Sequence, residues 1–524
     1  MRNCKSTLLG ALVCLFAVIA VPCKVLASGI QVLNTTVTTN SDKKTAQVKF
    51  TVTWDHSWRI SSEATGPKNW DAAWVFIKFR EVPNEDWYHG YLATGTGVKH
   101  KVPDNADYKV GTSPANINGK DVNPGVGAFI YRKTDGNGNF TAQDVELEWD
   151  YEANGLTGGE QVEVCVLATE MVYVPEGAFY AGDFSSTGRL INYTSTAPAF
   201  INAETTPSHM RSYFSESYKS WTGAGAGVGD DFDYYTGRNL DANYPKGYAG
   251  FYCMKHEITQ GEYVLFLNKV SVAVKNAGTY FPNKAEARHG IVKNGGTGTT
   301  PASYDLKNAG DAFRACNFLS AKDVLAYLDW AGLRPMTELE YEKACRGTLA
   351  VPSAPNNTQY AWGSISINNA LGLSNEGMNN EAPSNVEANC AVGKVGSDSK
   401  VTAVLSGPIR SGGFATPVSS RTKAGATYWG IMEMSGNLWE RCVGLGNATG
   451  RTFIGNHGNG EIGPGVNPDL PGTWPNINGT GLGFRGGSFE DHPDRARISD
   501  RLKANDTDAS RQDSYGGRGV RTAP

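Results

Sequence analysis

The stretch Gly-Ile-Met-Glu-Met-Ser-Gly-Asn-Leu-Trp-Glu, residues 430–440, lies within a long region that has little periodic character. From about Thr348 to Pro524, Gly, Asn, Ser and Pro dominate the sequence. A region of this length without periodicity normally indicates disorder. Here large aromatic residues interrupt it, at Trp362, Trp429, Trp439, Trp474 and Phe484. We therefore predict a compact domain held together by irregular loops.

Capped helices are predicted on the N-terminal side of this stretch. Thr259 and Thr337 are each followed three residues later by a glutamate, the pattern of a capping box. Ser320 begins a further helix that runs to Trp330. Residues 171–179 predict a strand followed by a turn, and residues 215–247 predict a long Gly/Ser/Tyr-rich surface insertion. Short helices and strands are thus expected to precede the irregular region.

Several segments, in this order, resemble the motifs of the formylglycine-generating-enzyme (sulfatase-modifying factor) family. They are residues 171–179, 256–263, 333–342, 430–440, 484–489 and 517–521. The resemblance implies that residues 170–524 form a variant of the C-type lectin fold. Such a domain has a small twisted sheet, a few helices and much irregular backbone.

The resemblance does not extend to the family's catalytic cysteines. The oxidase members place two cysteines shortly after an Arg-Gly-Gly-Ser-Trp motif, where they bind copper, and Cu(I) prefers thiolate ligands. In this chain residues 488–501 contain no cysteine, and Cys442 is the last one. Asp491, His492 and Asp494 form either a site for a harder metal or a solvated polar loop. The sequence therefore leans towards a protein that is not an enzyme.

The C-terminal segment, residues 484–521, also resembles the variable proteins of diversity-generating retroelements, many of which use this fold. In those proteins a retroelement rewrites chosen codons near the C-terminus, so that only positions around a ligand pocket vary. The resemblance implies such a pocket in the place of the family's active site. The expected ligand-binding residues are Trp429, Phe489, Asp491, His492, Asp494, Arg495, Arg497, Leu502 and Tyr515.

Two roles stay open within this segment and beside it. Phe489 is either a buried anchor, like Ile498 and Val520, or a residue that lines the pocket. In the family, the Gly-Asn-x-Trp-Glu turn helps to hold a structural calcium ion. By resemblance Asn437 and Glu440 are implied as calcium ligands, and the alternative is a hydrogen-bonded turn without metal. No catalytic cofactor is expected.

The region before residue 170 is predicted to consist of strands. Alternating segments at residues 47–54, 73–80, 144–149 and 161–166 are separated by Gly, Asn, Asp and Pro turns, which is typical of an antiparallel sandwich. The predicted fold class is therefore α+β, with an antiparallel β-sandwich at 28–169 followed by the formylglycine-generating-enzyme-type lectin fold at 170–524. Trp58, Trp70 and Trp87 serve either as packing residues or as a platform for stacking carbohydrate.

The first 27 residues have the layout of a secretory signal peptide. Arg2 and Lys5 precede an apolar run at residues 8–21, and Val25 and Ala27 give the small residues of a cleavage site. The run is too short for an ordinary membrane span. We therefore predict a secreted or cell-surface protein without a transmembrane segment in the mature chain. The alternatives are a membrane anchor and a lipoprotein signal at Cys23.

Composition restricts the partners. The formal net charge is -4 and basic residues are not concentrated in one run, so no nucleic-acid partner is expected. The six cysteines after residue 27 contain no CxxC pair, and either one or two disulfides or buried free thiols are expected. The partner is predicted to be a protein or glycan that the sequence does not name.

These observations predict an exported ligand-binding protein of the surface adhesin or receptor type, with its pocket near the C-terminus. One alternative is a metal-dependent oxidoreductase of the formylglycine-generating and sulfoxide-synthase superfamily with altered ligands. The other is a structural component of a surface assembly.

Overall fold

A computed structural model describes most of the chain. The described residues are 18–20, 29–62, 64, 67–117, 120–186, 189–205, 208–213, 238–296, 300–353, 358–396, 400–463, 465 and 467–524. Most of the predicted signal peptide and most of the predicted insertion at 215–247 lie outside these residues.

The N-terminal region is built from strands. They are β1 (Val18–Ala20), β2 (Gln31–Thr39), β3 (Thr45–Ile60), β4 (Asn69–Glu81), β5 (Tyr88–Gly90), β6 (Ala106–Thr112), β7 (Ala115–Ile117), β8 (Lys120–Val122), β9 (Gly125–Arg132), β10 (Gly136–Asp150) and β11 (Val162–Val174). Each of the four alternating segments predicted from the sequence overlaps one of the long strands. The first half of β3 alternates between buried and partly exposed residues, whereas β4 and β11 are buried on both faces. Trp54, Trp74 and Trp149 are fully buried.

Strands in the rest of the chain are short. They are β12 (Phe179–Ala181), β13 (Leu190–Asn192), β14 (Ala199–Ile201), β15 (Ser208–Ser212), β16 (Arg238–Leu240), β17 (Phe251–Met254), β18 (Ile291–Asn294), β19 (Ser303–Leu306), β20 (Arg334–Pro335), β21 (Leu373–Ser374), β22 (Ala382–Pro383), β23 (Lys394–Val395), β24 (Val401–Thr402), β25 (Trp439–Val443), β26 (Leu482–Arg485), β27 (Tyr515–Gly516) and β28 (Gly519–Thr522).

The helices are few. They are α1 (Gln260–Asn268), α2 (Val272–Ala277), α3 (Ala321–Trp330), α4 (Glu338–Arg346) and α5 (Ala448–Arg451), with 3₁₀ turns at Ala309–Phe313 and Pro493–Ala496. The predicted helix starts are confirmed, since Thr259, Ser320 and Thr337 each cap a helix in a complete capping box. The chain is therefore rich in strand with few helices, as the α+β class predicts.

One antiparallel strand joins the two regions. β11 pairs with β4 through residues 162–172 and with β17 through residues 171–174. β17 pairs in turn with β28, and β28 pairs with β20. Among the described residues these strands belong to one sheet of twelve. The predicted boundary between residues 169 and 170 thus falls inside a continuous strand.

Side chains strengthen this junction. The Trp74 indole donates to the Ala331 carbonyl at 2.8 Å, and the Lys78 ammonium donates to the Trp330 carbonyl at 2.9 Å. Arg521 of β28 lies with its guanidinium carbon 4.7 Å from the Trp74 ring centroid and donates to the Thr112 carbonyl. The two regions therefore share a core as well as a sheet.

Of the three tryptophans for which the sequence left packing or carbohydrate stacking open, two pack at this junction. Trp70 stacks on Tyr173 with ring centroids 4.3 Å apart, and Trp58 packs against the core cluster that contains Trp429. Trp87 is 7% exposed and lies under the Lys269 ammonium. All three contact other parts of the protein.

The cysteines after residue 27 are of two kinds. Cys165 is disulfide-bonded, whereas the buried thiols of Cys253, Cys316, Cys345, Cys390 and Cys442 are free.

In the part of the chain that the structure describes, no helix has the length and apolar composition needed to cross a bilayer.

Candidate functional site

The segment between β26 and β27, residues 486–514, is called the C-terminal loop below. β25 directly follows the turn at 436–438 and lies between β26, which is antiparallel to it, and β27, which is parallel. The loop begins after β26, on one side of β25, and ends before β27, on the other side. Its ends are therefore fixed by the stretch 430–440 that the sequence singles out.

Buried arginines hold the frame of the loop. Arg485, at the end of β26, donates to Glu342 at 2.7 Å, to Glu338 at 3.2 Å and to the Ile498 carbonyl at 2.8 Å. Arg501, inside the loop, donates to Glu338 at 2.7 Å. All four charged side chains are fully buried. Helix α4 thus presents carboxylates to two arginines that are distant from the helix in the sequence.

Glu338 is the centre of this network. Besides the two arginines, the Leu445 backbone N–H donates to its carboxylate at 2.7 Å. Burial alone raises the pKa of the Glu338 carboxyl, but the Arg501 and Arg485 charges and these hydrogen bonds bring it below its ordinary value. Glu338 is therefore ionised throughout the neutral range, as its buried partners require.

Further anchors lie between these arginines. The Ser499 hydroxyl donates to Glu342 at 3.0 Å and accepts from Arg346 at 2.8 Å. Gly487 has a φ of 71°, and a Cβ placed there would lie 2.9 Å from the Ala496 nitrogen, so this close turn requires glycine. Ile498 is fully buried, as predicted, and Val520 beyond the loop is buried too.

Four of the predicted ligand-binding side chains face solvent on the first half of the loop. His492 and Asp494 have side chains that are 40% and 42% exposed, and Arg497, which pairs with Asp494 at 2.6 Å, is 30% exposed. Asp491 is half-buried, and its carboxylate accepts from the Ser488 hydroxyl. These four side chains lie within seven residues of one another and form a polar, charged surface.

Arg495 and Asp500 point inward instead. They form an ion pair at 2.6 Å in which the Asp500 side chain is 2% exposed. Burial raises the pKa of Asp500 to about 6, although the Arg495 charge opposes the rise. Arg495 therefore supports the loop from below rather than extending into solvent.

Phe489, Leu502 and Tyr515 differ in burial. Phe489 is 3% exposed and packs in a cluster with Ile409 and Leu438. Leu502 is half-buried next to Arg501. Tyr515 is 4% exposed, and its hydroxyl donates to Asp508 at 3.2 Å. Of the three, Leu502 is the one with substantial surface.

The second half of the loop is held by two further arginines. Arg511 donates to both carboxylate oxygens of Asp323, at the start of α3, at 2.7 and 2.8 Å. Arg441 of β25 donates to the Asp508 and Ser510 carbonyls at 2.6 and 3.1 Å. Neither residue was among the predicted site residues, because nothing in the local sequence shows which distant groups an arginine contacts.

An aromatic cluster lies beneath this half of the loop. Trp439, Phe484 and Tyr515 pack together and are all buried. The Lys503 ammonium lies 5.2 Å from the Trp439 ring centroid and 5.3 Å from that of Tyr515. The Lys503 ammonium therefore lies over the rings of this cluster in a cation–π arrangement.

Trp429 lies in the core rather than beside the loop. It is 5% exposed, and its indole donates to the Lys343 carbonyl at 3.0 Å. Its own carbonyl accepts from Asn69 of β4 at 2.6 Å. Trp429 therefore connects helix α4 with the N-terminal sheet.

The side-chain oxygens of Asn437 and Glu440 already accept hydrogen bonds from protein donors. Both carboxylate oxygens of Glu440 accept from Arg518 at 2.7 Å. The Asn437 side-chain oxygen accepts from the Ile409 N–H at 2.9 Å, and its amide donates to Glu257. Since these oxygens already serve protein donors, this arrangement does not fit a calcium ion held by the pair. Calcium binding stays a prediction.

Copper chemistry of the family type does not fit the thiols either. The five free cysteines are buried, and burial raises the pKa of every one of them, that of Cys253 to about 12. A buried neutral thiol is a poor metal ligand. Within the described ranges, no three His, Cys, Asp or Glu side chains are grouped to hold a metal ion.

Comparison with known protein families gives a match over the C-terminal region. The family model of the sulfatase-modifying factor enzyme 1-like domain matches residues 228–523, more than half of the chain. The match includes every motif quoted above except residues 171–179, which precede it. No curated protein matches the chain.

Proposed function

Since the chain belongs to the sulfatase-modifying factor enzyme 1-like domain family, we propose that it uses the family's scaffold to bind a ligand at the C-terminal loop. The proposed protein is exported and acts at the cell surface as an adhesin or receptor. Its ligand is a protein or a glycan. The lectin-type topology of the C-terminal region and the sandwich character of the N-terminal region are part of this proposal.

The observation that carries the proposal is that some residues of the loop are buried and hold its backbone, whereas others are partly exposed. Arg501, Ser499 and Ile498 point inward to groups fixed by α4 and β26. Asp491, His492, Asp494 and Arg497 precede these anchors in the chain and are partly exposed. A backbone that is fixed by buried bonds leaves its outward side chains free to change without loss of the fold. That property is useful for recognition, where rigid backbone lowers the entropic cost of binding.

The sequence after β26 favours binding over oxidation. Copper oxidation in this family requires two cysteines after the motif at 485–489, and no cysteine follows Cys442. The surface that the loop presents instead is made of carboxylates, an imidazole and a guanidinium. Such groups form directional hydrogen bonds and ion pairs with a partner.

We further propose that the outward positions are diversified by a retroelement. Residues 484–521 combine buried positions that hold the fold, such as Gly487 and Arg501, with positions that are partly exposed. Among the latter, Arg497 also donates to the Thr358 hydroxyl at 2.8 Å and His492 caps the 3₁₀ turn. Codon changes restricted to the outward positions would alter recognition and spare the fold. The positions proposed to vary are Asp491, His492, Asp494, Arg497 and Leu502.

Binding to defined ligands tests the proposal. The native chain and a loop variant carrying Asp491→Ala, His492→Ala, Asp494→Ala and Arg497→Ala are applied to an array of defined glycans and purified extracellular proteins. We expect at least one ligand whose affinity falls about tenfold or more in the loop variant, equivalent to at least about 1.4 kcal/mol.

A matched variant controls for the loss of charge. Lys44→Ala, Asp144→Ala and Glu152→Ala remove one positive and two negative exposed side chains of the N-terminal region, the same charges that the loop variant loses. This variant is expected to bind as the native chain does. Ligands that bind both variants equally well would contradict the proposal. Copper or iron bound stoichiometrically to the purified protein, together with loss of oxidation in the loop variant, would favour the oxidoreductase alternative instead.

A further inference from the structure

A cleft of about 240 Å³ opens on the surface beside the last strand, β28. Its walls include Glu204, Phe251, Arg334, Glu340 and Gly455. No residue of the C-terminal loop lines it. The cleft is therefore separate from the recognition surface proposed above, and the inference drawn from it does not depend on that proposal.

Arg334 provides a hydrogen-bond donor at the wall of the cleft. Its side chain is 1% exposed, and its two terminal nitrogens donate to Glu340 at 2.8 and 2.6 Å. Its Nε has no hydrogen-bond acceptor among the described residues. A methyl group placed on Gly455, across the cleft wall, would lie 3.8 Å from this nitrogen. A buried donor without a partner is costly, by about 1–3 kcal/mol, so an acceptor in the cleft would be stabilised there.

Glu204 provides acceptors in the same cleft. One of its carboxylate oxygens accepts from the Lys246 N–H at 2.6 Å and the other from the Ala249 N–H at 2.7 Å. Each oxygen keeps capacity for a second donor. These two backbone bonds fix the orientation of the carboxylate without neutralising its charge.

The charged groups at the cleft balance one another. Glu340 pairs with Arg334, and the Lys246 ammonium donates to the Glu204 carbonyl at 2.8 Å. A hydroxyl group can accept from the Arg334 Nε–H while it or a neighbouring hydroxyl donates to Glu204. A neutral molecule with several hydroxyls satisfies both groups, whereas an ammonium ion leaves the Arg334 donor without an acceptor.

The remaining walls combine apolar side chains with the polar residues Asn243 and Thr522. Phe251 and Pro245 line the cleft, and Ile454 lies at its rim with 45% of its surface exposed. Gly455 lies so close to Pro245 that an added Cβ would be 2.7 Å from the proline Cγ, so a side chain there would obstruct this wall. The volume is below the range of about 300–1,000 Å³ that is usual for drug-sized ligands. A single sugar ring has the required size, hydroxyls and apolar C–H face.

We infer that this cleft binds one neutral sugar ring, such as the terminal residue of a glycan. Arg334 donates to one hydroxyl through Nε, Glu204 accepts from another, and Phe251 and Ile454 contact the C–H face of the ring. The protein then carries a sugar site in addition to the C-terminal loop.

Calorimetric titration of the full chain with methyl glycosides of glucose, galactose, mannose and N-acetylglucosamine tests this inference. At least one glycoside is expected to bind at millimolar concentration. Ile454→Trp, which fills the rim, is expected to weaken this binding about tenfold or more. Ile365→Trp is the matched control, since Ile365 is equally exposed at 45% and does not line the cleft. Methyl glucuronide is expected to bind more weakly than methyl glucoside.

Three results would overturn the inference. The native chain binds none of the glycosides, or Ile454→Trp binds them as the native chain does, or N-acetylglycinamide binds in the cleft where the glycosides do not. The loop variant described above is expected to keep glycoside binding. Failure of the sugar site is thus distinguishable from failure of the proposed recognition surface.

Discussion

At the scale of residues, the charged side chains of the C-terminal loop fall into two groups that the sequence alone does not separate. Arg501 is fully buried against Glu338, whereas Arg497 is 30% exposed against Asp494. A buried charge that loses its partner remains desolvated, while an exposed pair is screened by water. The same substitution therefore has different consequences at positions only four residues apart.

Replacement of these two arginines measures that difference. We expect Arg501→Ala to lower the free energy of unfolding by about 3–5 kcal/mol, because Glu338 keeps its buried charge with fewer donors. Arg497→Ala is the control and should cost about 1 kcal/mol or less. Urea unfolding of the two variants gives both values. Equal losses would show that the frame is not held as described.

Asp500 gives the loop a pH dependence. Its folded-state pKa of about 6 lies above the ordinary value of 3.8, so the folded chain binds this proton more tightly than the unfolded chain. The stability that this group contributes is fully present below about pH 4 and is lost as the pH rises through about 6. Asp500→Asn removes the titration. Between about pH 4 and pH 7, the free energy of unfolding of the variant should rise by about 2–3 kcal/mol relative to that of the native chain. Parallel pH profiles of the two proteins would contradict this assignment.

At the scale of elements, helix α4 connects the frame of the loop to the rest of the domain. Its Thr337 cap accepts from the Glu340 N–H at 3.2 Å and donates to the Pro245 carbonyl at 3.0 Å. The helix then presents Glu338 and Glu342 to the buried arginines. The first turn of α4 therefore affects the loop, although the loop is more than a hundred residues away in sequence.

The Thr337 cap yields a stability prediction. Thr337→Ala removes both hydrogen bonds of the hydroxyl and should lower the free energy of unfolding by about 1–2 kcal/mol. Thr337→Ser keeps the hydroxyl and should cost less than half as much. Thermal unfolding of the pair gives the comparison. A serine variant as unstable as the alanine variant would mean that the methyl group, rather than the cap, stabilises this turn.

Local patterns predicted the elements better than their connections. The capping residues Thr259, Ser320 and Thr337 were predicted because a cap is defined within four residues. The continuity of β11 across residues 169 and 170 was not, because alternation shows that a strand exists but not which strands pair with it. The inward turn of Arg495 and the burial of Trp429 likewise depend on Asp500 and Lys343, whose proximity no short segment reveals.

At the scale of the whole molecule, the sheet that passes through β11 predicts that the two regions fold together. Residues 28–169 and 170–524, expressed separately, would each expose a half of this strand and the core around Trp74. We expect neither fragment to give a folded monomer, whereas residues 28–524 unfold in one transition. Amide hydrogen exchange and calorimetry test this. A fragment that folds alone with protected amides would show that the two regions are independent domains.

We propose that the C-terminal loop is a diversified recognition surface on a fixed frame. Sequencing of the codons for residues 484–521, with the neighbouring DNA, across many cells of one source population tests this proposal. We expect substitutions at Asp491, His492, Asp494, Arg497 and Leu502 that match adenines in a nearby near-copy, with Arg485, Ser499 and Arg501 unchanged. An invariant segment without a template copy, or substitutions that fall equally on the buried arginines, would contradict it.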